Sequence, residues 1–256
     1  MIRISLVDFL NARPLAWGLL HEPPEGVEVS RDIPSVCAEK LASGQADVGL
    51  IPSIEYQRIP NLKIVAGLGI AAASEVRSVL LVSAVSREKI RSVSLDPASR
   101  TSAVLTRILL NRRYGLAPAY VEERSETADA QLIIGDPALK TRLNGRVVLD
   151  LAAEWRAFSG HPFIFAFWAV RADAALPEVA ALLRRSHEAG RAHFTDLVAQ
   201  ESARTGLSEP VVEDYLRHAL HYELDEGDFQ GLEFFYRLAA EDGLIGEARP
   251  LEFLRE

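Results

Sequence analysis

The sequence predicts an α/β protein of two domains, each a mainly parallel sheet flanked by helices. Three observations carry this. Short apolar runs alternate with helical patterns over residues 1–70 and again over 77–150, and a βαβα rhythm builds parallel strands beneath covering helices. No linker, repeat or low-complexity tract separates the two stretches, so the domains must be joined by ordered chain. The long apolar runs at 76–84 and 163–172 are the natural crossings, and from Leu176 onward only helical spacing remains. The expected division is residues 1–80 with 170–256 as a discontinuous first domain, and 81–169 as an inserted second one.

The first strand, around Ile4 to Val7, stops abruptly at a polar joint, and Asn11 followed by Pro14 marks a helix start over 14–20. Asn accepts from free N–H groups there, and proline lacks only a donor that would be orphaned anyway. A turn at 21–26 leads to a short strand at 27–29. A helix over 33–43 carries Val36, Cys37 and Leu41 on one face and stops at Gly44. Residues 47–53 form a buried strand ending in polar groups, 54–58 a helix or turn, and 62–67 the next strand.

The strong strand at 77–83 has no helix directly before it. After it come a short helix at 86–90, a strand at 92–95, and an amphipathic helix over 101–114 with Val104, Leu105, Ile108 and Leu109 as its stripe and Gly115 as its stop. Strands follow at 119–121, 131–136, 146–149 and 163–170. Helices close the chain at 177–203, 209–220 and 227–240.

Composition narrows the function. With 48% hydrophobic and 25% charged residues in 256, the chain can bury substantial cores. A net charge of −8 without clustered Lys and Arg argues against a nucleic-acid surface. The single cysteine, Cys37, allows neither an intrachain disulfide nor a thiolate metal cluster, and reads as a core residue. Asp8, Asn11 and Arg13 interrupt any secretory apolar region, and no apolar run approaches the ~20 residues of a membrane span. The expectation is a cytoplasmic protein with no membrane partner. Oligomeric state is left open.

Candidate site residues gather just past the strand ends, where open parallel sheets bind ligands. Asn11, Ser53, Ser78, the run Ser99, Arg100, Thr101 and Ser102, and Asp136 could converge on one cleft between the domains. The 99–102 run opens a helix after a strand, so hydroxyls, a guanidinium and free N–H groups can face one anion. A simpler reading makes Asn11, Ser99 and Asp136 helix caps with a solvated Arg100. The six histidines form no convincing metal motif, and no metal is expected. His161, before Pro162 at the start of a crossing strand, is an acid/base or substrate-contact candidate. No dinucleotide turn, P-loop or nucleophile elbow is present, since Gly67-Leu68-Gly69 lacks a third glycine.

Taken together, Phe9-Leu10-Asn11-x-x-Pro14-Leu15, Gly44-x-x-Asp47-Val48-Gly49-Leu50-Ile51-Pro52-Ser53-x-Glu55-Tyr56, Ser78-Val79, Asp96-x-x-Ser99-x-Thr101-Ser102, Ile134-Gly135-Asp136-x-Ala138-Leu139 and Trp155 with Pro162-Phe163-x-x-Ala166-x-Trp168 resemble chorismate dehydratase of the futalosine route to menaquinone. The likeness covers residues 1 to about 172, and more loosely the helical tail. It implies a two-domain fold like the type II periplasmic binding proteins, used as an enzyme without a metal or organic cofactor. The implied reaction is loss of water from chorismate to give 3-[(1-carboxyvinyl)oxy]benzoate. Under that resemblance Asn11 and Ser78 hold the reacting end, while Ser53, Ser99, Arg100, Thr101, Ser102 and His161 contact substrate. His161 departs from the family, where an apolar residue is more usual. The sister enzyme, dihydroxynaphthoate synthase, fits less well because its Ser-Pro-Cys-Pro-Asn-Asp motif is replaced by Phe9-Leu10-Asn11. A solute-binding protein for a small carboxylate is the alternative of another class.

Overall fold

A computed structural model describes residues 1–143, 145–174, 176 and 178–254. The first lobe starts with β1 (Ile2–Val7), α1 (Arg13–His21), β2 (Val27–Asp32), α2 (Pro34–Ala42), β3 (Val48–Pro52), α3 (Glu55–Arg58) and β4 (Leu62–Ala72). The second holds β5 (Val79–Ser83), β6 (Ser92–Ser94), α4 (Arg100–Ile108), β7 (Ala119–Val121), β8 (Ala130–Ile134), α5 (Asp136–Lys140), β9 (Val147–Asp150) and α6 (Leu151–Ser159). The chain then returns through β10 (Phe163–Arg171) and ends in α7 (Val179–Ala192), α8 (Phe194–Thr205), α9 (Glu209–Asp214) and α10 (Glu226–Glu241).

Both sheets have five strands and one topology, β2-β1-β3-β10-β4 in the first lobe and β7-β6-β8-β5-β9 in the second. The mainly parallel expectation needs one amendment in each. β10 runs antiparallel to both β3 and β4, and β5 antiparallel to both β8 and β9. These are the strands that enter a sheet directly after the chain has changed lobes, so each arrives from the opposite end. Each long run also lies within a single sheet. The crossings are the short segments 73–78 and 160–162, and β10 belongs wholly to the first lobe rather than starting there at residue 170.

Local chemistry sets the element ends. Pro14 and Pro34 open α1 and α2, Asp150 caps α6 by accepting from Ala152 and Ala153, and Gly160 closes it at φ 77°. Asp225 and Asp228 cap α10 reciprocally. The long helix expected over 177–203 is two helices broken at His193, and Pro177 lies outside the described residues. The helix expected over 101–114 is α4 continued by a wide turn, Leu109–Arg113, and α9 likewise runs into a wide turn, Tyr215–Ala219.

The helical tail belongs to the core. Phe235 and Tyr236 on α10 are buried, with the Phe235 ring 5.0 Å from Phe163 of β10 and 5.9 Å from Trp155 of α6. Burying such a ring contributes about 2 kcal/mol or more, so α10 ties the lobes together at their junction. Gly190 lets α7 lie against α1, because a Cβ there would fall 2.3 Å from the Pro14 carbonyl oxygen. Cys37 is buried, and burial pushes its thiol up to about 12.

Candidate functional site

A hollow of about 560 Å³, its mouth included, lies between the lobes. Its wall on the first lobe begins where β1 ends. The chain passes through extended Phe9 into a single tight turn, Leu10–Ala12, before α1 starts. That turn changes the role of Asn11, which caps neither segment. Its Oδ1 is buried without a hydrogen-bond partner among the described residues and belongs to the lining of the hollow. Leaving such an acceptor unpaired costs about 1–3 kcal/mol, so the amide is held ready for a group from outside the chain.

Ser78 stands opposite, on the crossing between β4 and β5. The residue before it, Arg77, is left-handed at φ 63°, a conformation that costs a non-glycine residue roughly 1 kcal/mol. Asp150 holds it there, accepting from the N–H of Val76 at 3.0 Å and of Arg77 at 2.6 Å while also capping α6. Burial raises the Asp150 carboxyl, outweighing these N–H bonds. The carbonyl of Ser78 accepts from Gly135, and its Oγ accepts from the Tyr215 hydroxyl at 2.7 Å.

The third wall is the start of α4. Ser99, the residue before the helix, makes no side-chain cap bond, so the first-turn N–H groups remain the free donors that open any helix. Ser99, Arg100, Thr101 and Ser102 all line the hollow with Asn11 and Ser78. Thr101 Oγ1 accepts from the Ile54 N–H at 3.2 Å across the lobes. Arg100 is already occupied, donating to Glu55 at 2.9 Å and Glu39 at 2.5 Å, both on the first lobe. Its guanidinium bridges the two lobes, and the helix N–H groups and hydroxyls are what remain to receive an anion.

Three candidates stand away from the lining. Ser53 is wholly buried behind the wall, where its Oγ donates to the Ile164 carbonyl at 2.8 Å and lies 3.5 Å from Thr101 Oγ1. His161 packs against Phe234, with ring centroids 6.0 Å apart, and its N–H donates to Ser159 Oγ. Asp136 is no cap either. It begins α5 and accepts from the Leu10 N–H at 2.9 Å and from Arg204 at 3.0 Å.

Among the described lining residues Arg100 is the only ionisable side chain. No group of three or more His, Cys, Asp or Glu that could hold a metal occurs among the described residues, and no helix there is long and apolar enough to cross a membrane. Tyr215, Asp150 and Arg204 are the contributors that the sequence reading does not single out.

Two sheets of one topology facing each other across a hollow whose mostly apolar wall carries Asn11, Ser78 and the start of α4 define the periplasmic-binding-protein-like fold. In solved structures the fold is similar to protein AF1704 from Archaeoglobus fulgidus, with TM-score 0.77 and 16% identity, covering 95% of this chain and 98% of that one. It is also similar to the periplasmic aliphatic sulphonate binding protein SsuA from Escherichia coli, with TM-score 0.63 and 17% identity over 100% and 94% of the two chains. The family described as menaquinone biosynthesis matches residues 2–241, and the chain belongs to it. It is 28% identical over 258 residues to a chorismate dehydratase of Thermus thermophilus, covering 91% of this chain and 93% of that protein. Over 166 residues it is 32% identical to a chorismate dehydratase of Campylobacter jejuni, covering 62% and 63%.

Proposed function

We propose that this protein is a chorismate dehydratase, a hydro-lyase that converts chorismate to 3-[(1-carboxyvinyl)oxy]benzoate and water in menaquinone biosynthesis. One observation carries the reading from the side of geometry: the described lining of the hollow offers hydroxyls, an unpaired amide oxygen and a helix start, and among those residues there is no carboxylate, imidazole or amine to act as a base. Such a site suits a substrate that brings its own base and whose product is aromatic, leaving the protein to position and to stabilise charge.

In this mechanism a substrate carboxylate sits at the start of α4, on the N–H groups and the hydroxyls of Thr101 and Ser102. Asn11 Oδ1 accepts from the ring hydroxyl and orients its C–O bond, and the Ser78 hydroxyl donates to the same oxygen as charge builds there. The enolpyruvyl carboxylate takes the proton from the ether-bearing ring carbon. The C–H electrons form the new ring double bond, the C–O bond breaks, and the abstracted proton joins the departing hydroxide as water. Ser53 supports Thr101 from behind, and Arg100 supports the closed arrangement. The futalosine route and a cytoplasmic location are part of the same proposal, resting on the family resemblance.

The test is direct. Purified protein incubated with chorismate should yield the aromatic ether, followed by chromatography and ultraviolet absorbance. Binding without conversion would instead make it a binding protein for small carboxylates.

A further inference from the structure

The Ser78 hydroxyl lies between the hollow and a wholly buried phenol. Tyr215 Oη is 2.7 Å from Ser78 Oγ and donates to it, and both residues are about 1% exposed. Tyr215 begins the wide turn Tyr215–Ala219 that follows α9, and Leu220, just past that turn, also lines the hollow. Wide turns of this kind recur at functional sites because the extra residue re-aims side chains that regular winding would point elsewhere. The C-terminal helices thus deliver a side chain to the inner side of the site, 137 residues along the chain from Ser78.

We infer that Tyr215 is a positioning residue for the dehydration, fixing Ser78 as a hydrogen-bond donor toward the oxygen that leaves. This deepens the chorismate dehydratase reading and rests on it. A serine hydroxyl carries one proton. With its oxygen accepting from a fixed phenol, that proton is free for the hollow, and a hydroxyl that accepts one bond donates more strongly in the next. The phenol is held in its donating form. Burial pushes Tyr215 far above its ordinary value, and the carboxylates of Asp136 and Asp150 add to the rise while Ser78 and Arg77 oppose it. The left-handed Arg77 is bonded from both sides, its N–H to Asp150 and its guanidinium to Asp214 at 2.6 Å, beside Tyr215 itself. Backbone and hydroxyl of Ser78 are therefore set by separate partners.

The experiment is a double-mutant cycle with chorismate, comparing wild type, Tyr215→Phe, Ser78→Ala and the double variant in kcat and KM. Tyr215→Phe keeps the ring, and should lower kcat about tenfold or more with KM within about threefold. In the Ser78→Ala background it should change neither. An unchanged kcat in Tyr215→Phe, or the same fractional loss in both backgrounds, overturns the assignment. Should Tyr215→Phe not fold, 3-fluorotyrosine at 215 alters the donor without removing it, and kcat must then shift at constant KM or the assignment fails. A wild-type protein that binds chorismate without turnover refutes the dehydratase reading instead. The cycle is then read in chorismate affinity, where additive effects overturn Tyr215 as well, and no binding overturns both.

Discussion

The carboxylate of Asp136 accepts the backbone N–H of Leu10 at 2.9 Å, joining the start of α5 in the second lobe to the joint between β1 and α1 in the first. Its other oxygen accepts from Arg204 of α8 at 3.0 Å. Next to it, Gly135 at φ 64° lies so near Phe9 that a Cβ would come within 3.1 Å of the ring. Asp136→Ala should release the lobes without touching the lining. The expected result is a KM for chorismate raised about tenfold, the equivalent of one good hydrogen bond, with faster hydrogen exchange at Leu10. Unchanged KM and exchange would show that this bond does not hold the closed form.

Asn11 lends itself to a harsher substitution. Asn11→Asp keeps the shape but puts a charge, unpaired and buried, against a substrate carrying two carboxylates. Turnover should fall about 100-fold or more, with melting temperature monitored as the control for folding. Full turnover in that variant would remove Asn11 from the mechanism.

Arg100 separates two roles by two readouts. If it closes the lobes, Arg100→Gln leaves Glu55, whose side chain is only 3% exposed, with Arg58 alone. Stability in urea should then drop by about 1–2 kcal/mol, discounted because the guanidinium is partly solvated. A large rise in KM at unchanged stability would instead make Arg100 a direct ligand of the substrate carboxylate.

His187 gives the fold a mild acid sensitivity. It is buried on α7 against α1, its Nδ1 3.2 Å from the Pro14 carbonyl, and burial lowers its pKa below the ordinary 6.5, opposed by the Pro14 bond and by Glu223. The unfolded chain therefore takes up the proton first as pH falls. Stability should be full above about pH 6.5 and decline from there toward the lower, folded value. Arg191 on α7 and Glu223 beyond it face the same ring. Denaturant midpoints measured from pH 8 to 5 should show the decline in the parent and a flatter curve in His187→Gln.

Much of this architecture was legible because strands buried on both faces read as continuous apolar runs. The runs at β1, β3, β5 and β10 stand out for that reason. Direction is another matter: a doubly buried strand carries no polar face to betray which way it points, so the antiparallel setting of β5 and β10 is invisible until the crossings are known. Polar residues at strand ends marked Asn11, Ser78 and the start of α4. Their detailed roles depended on geometry outside the local sequence. Whether Asn11 capped a helix turned on the tight turn at Leu10–Ala12, and Arg100 was neutralised by carboxylates 45 and 61 positions away. Tyr215 lies in a plain helical run with no motif around it, 137 positions from the Ser78 hydroxyl it meets.

The shared strand order has a consequence for how the chain is made. The inserted lobe has all five of its strands in 79–150, one uninterrupted stretch, so it can assemble as soon as it leaves the ribosome. The lobe that begins the chain cannot, because the slot between β3 and β4 stays vacant until Phe163–Arg171 is synthesised. β3 and β4 thus wait for their shared partner until the whole inserted lobe has been made, and a nascent chain stalled before residue 163 would carry one finished half and one open-edged half exposed to aggregation.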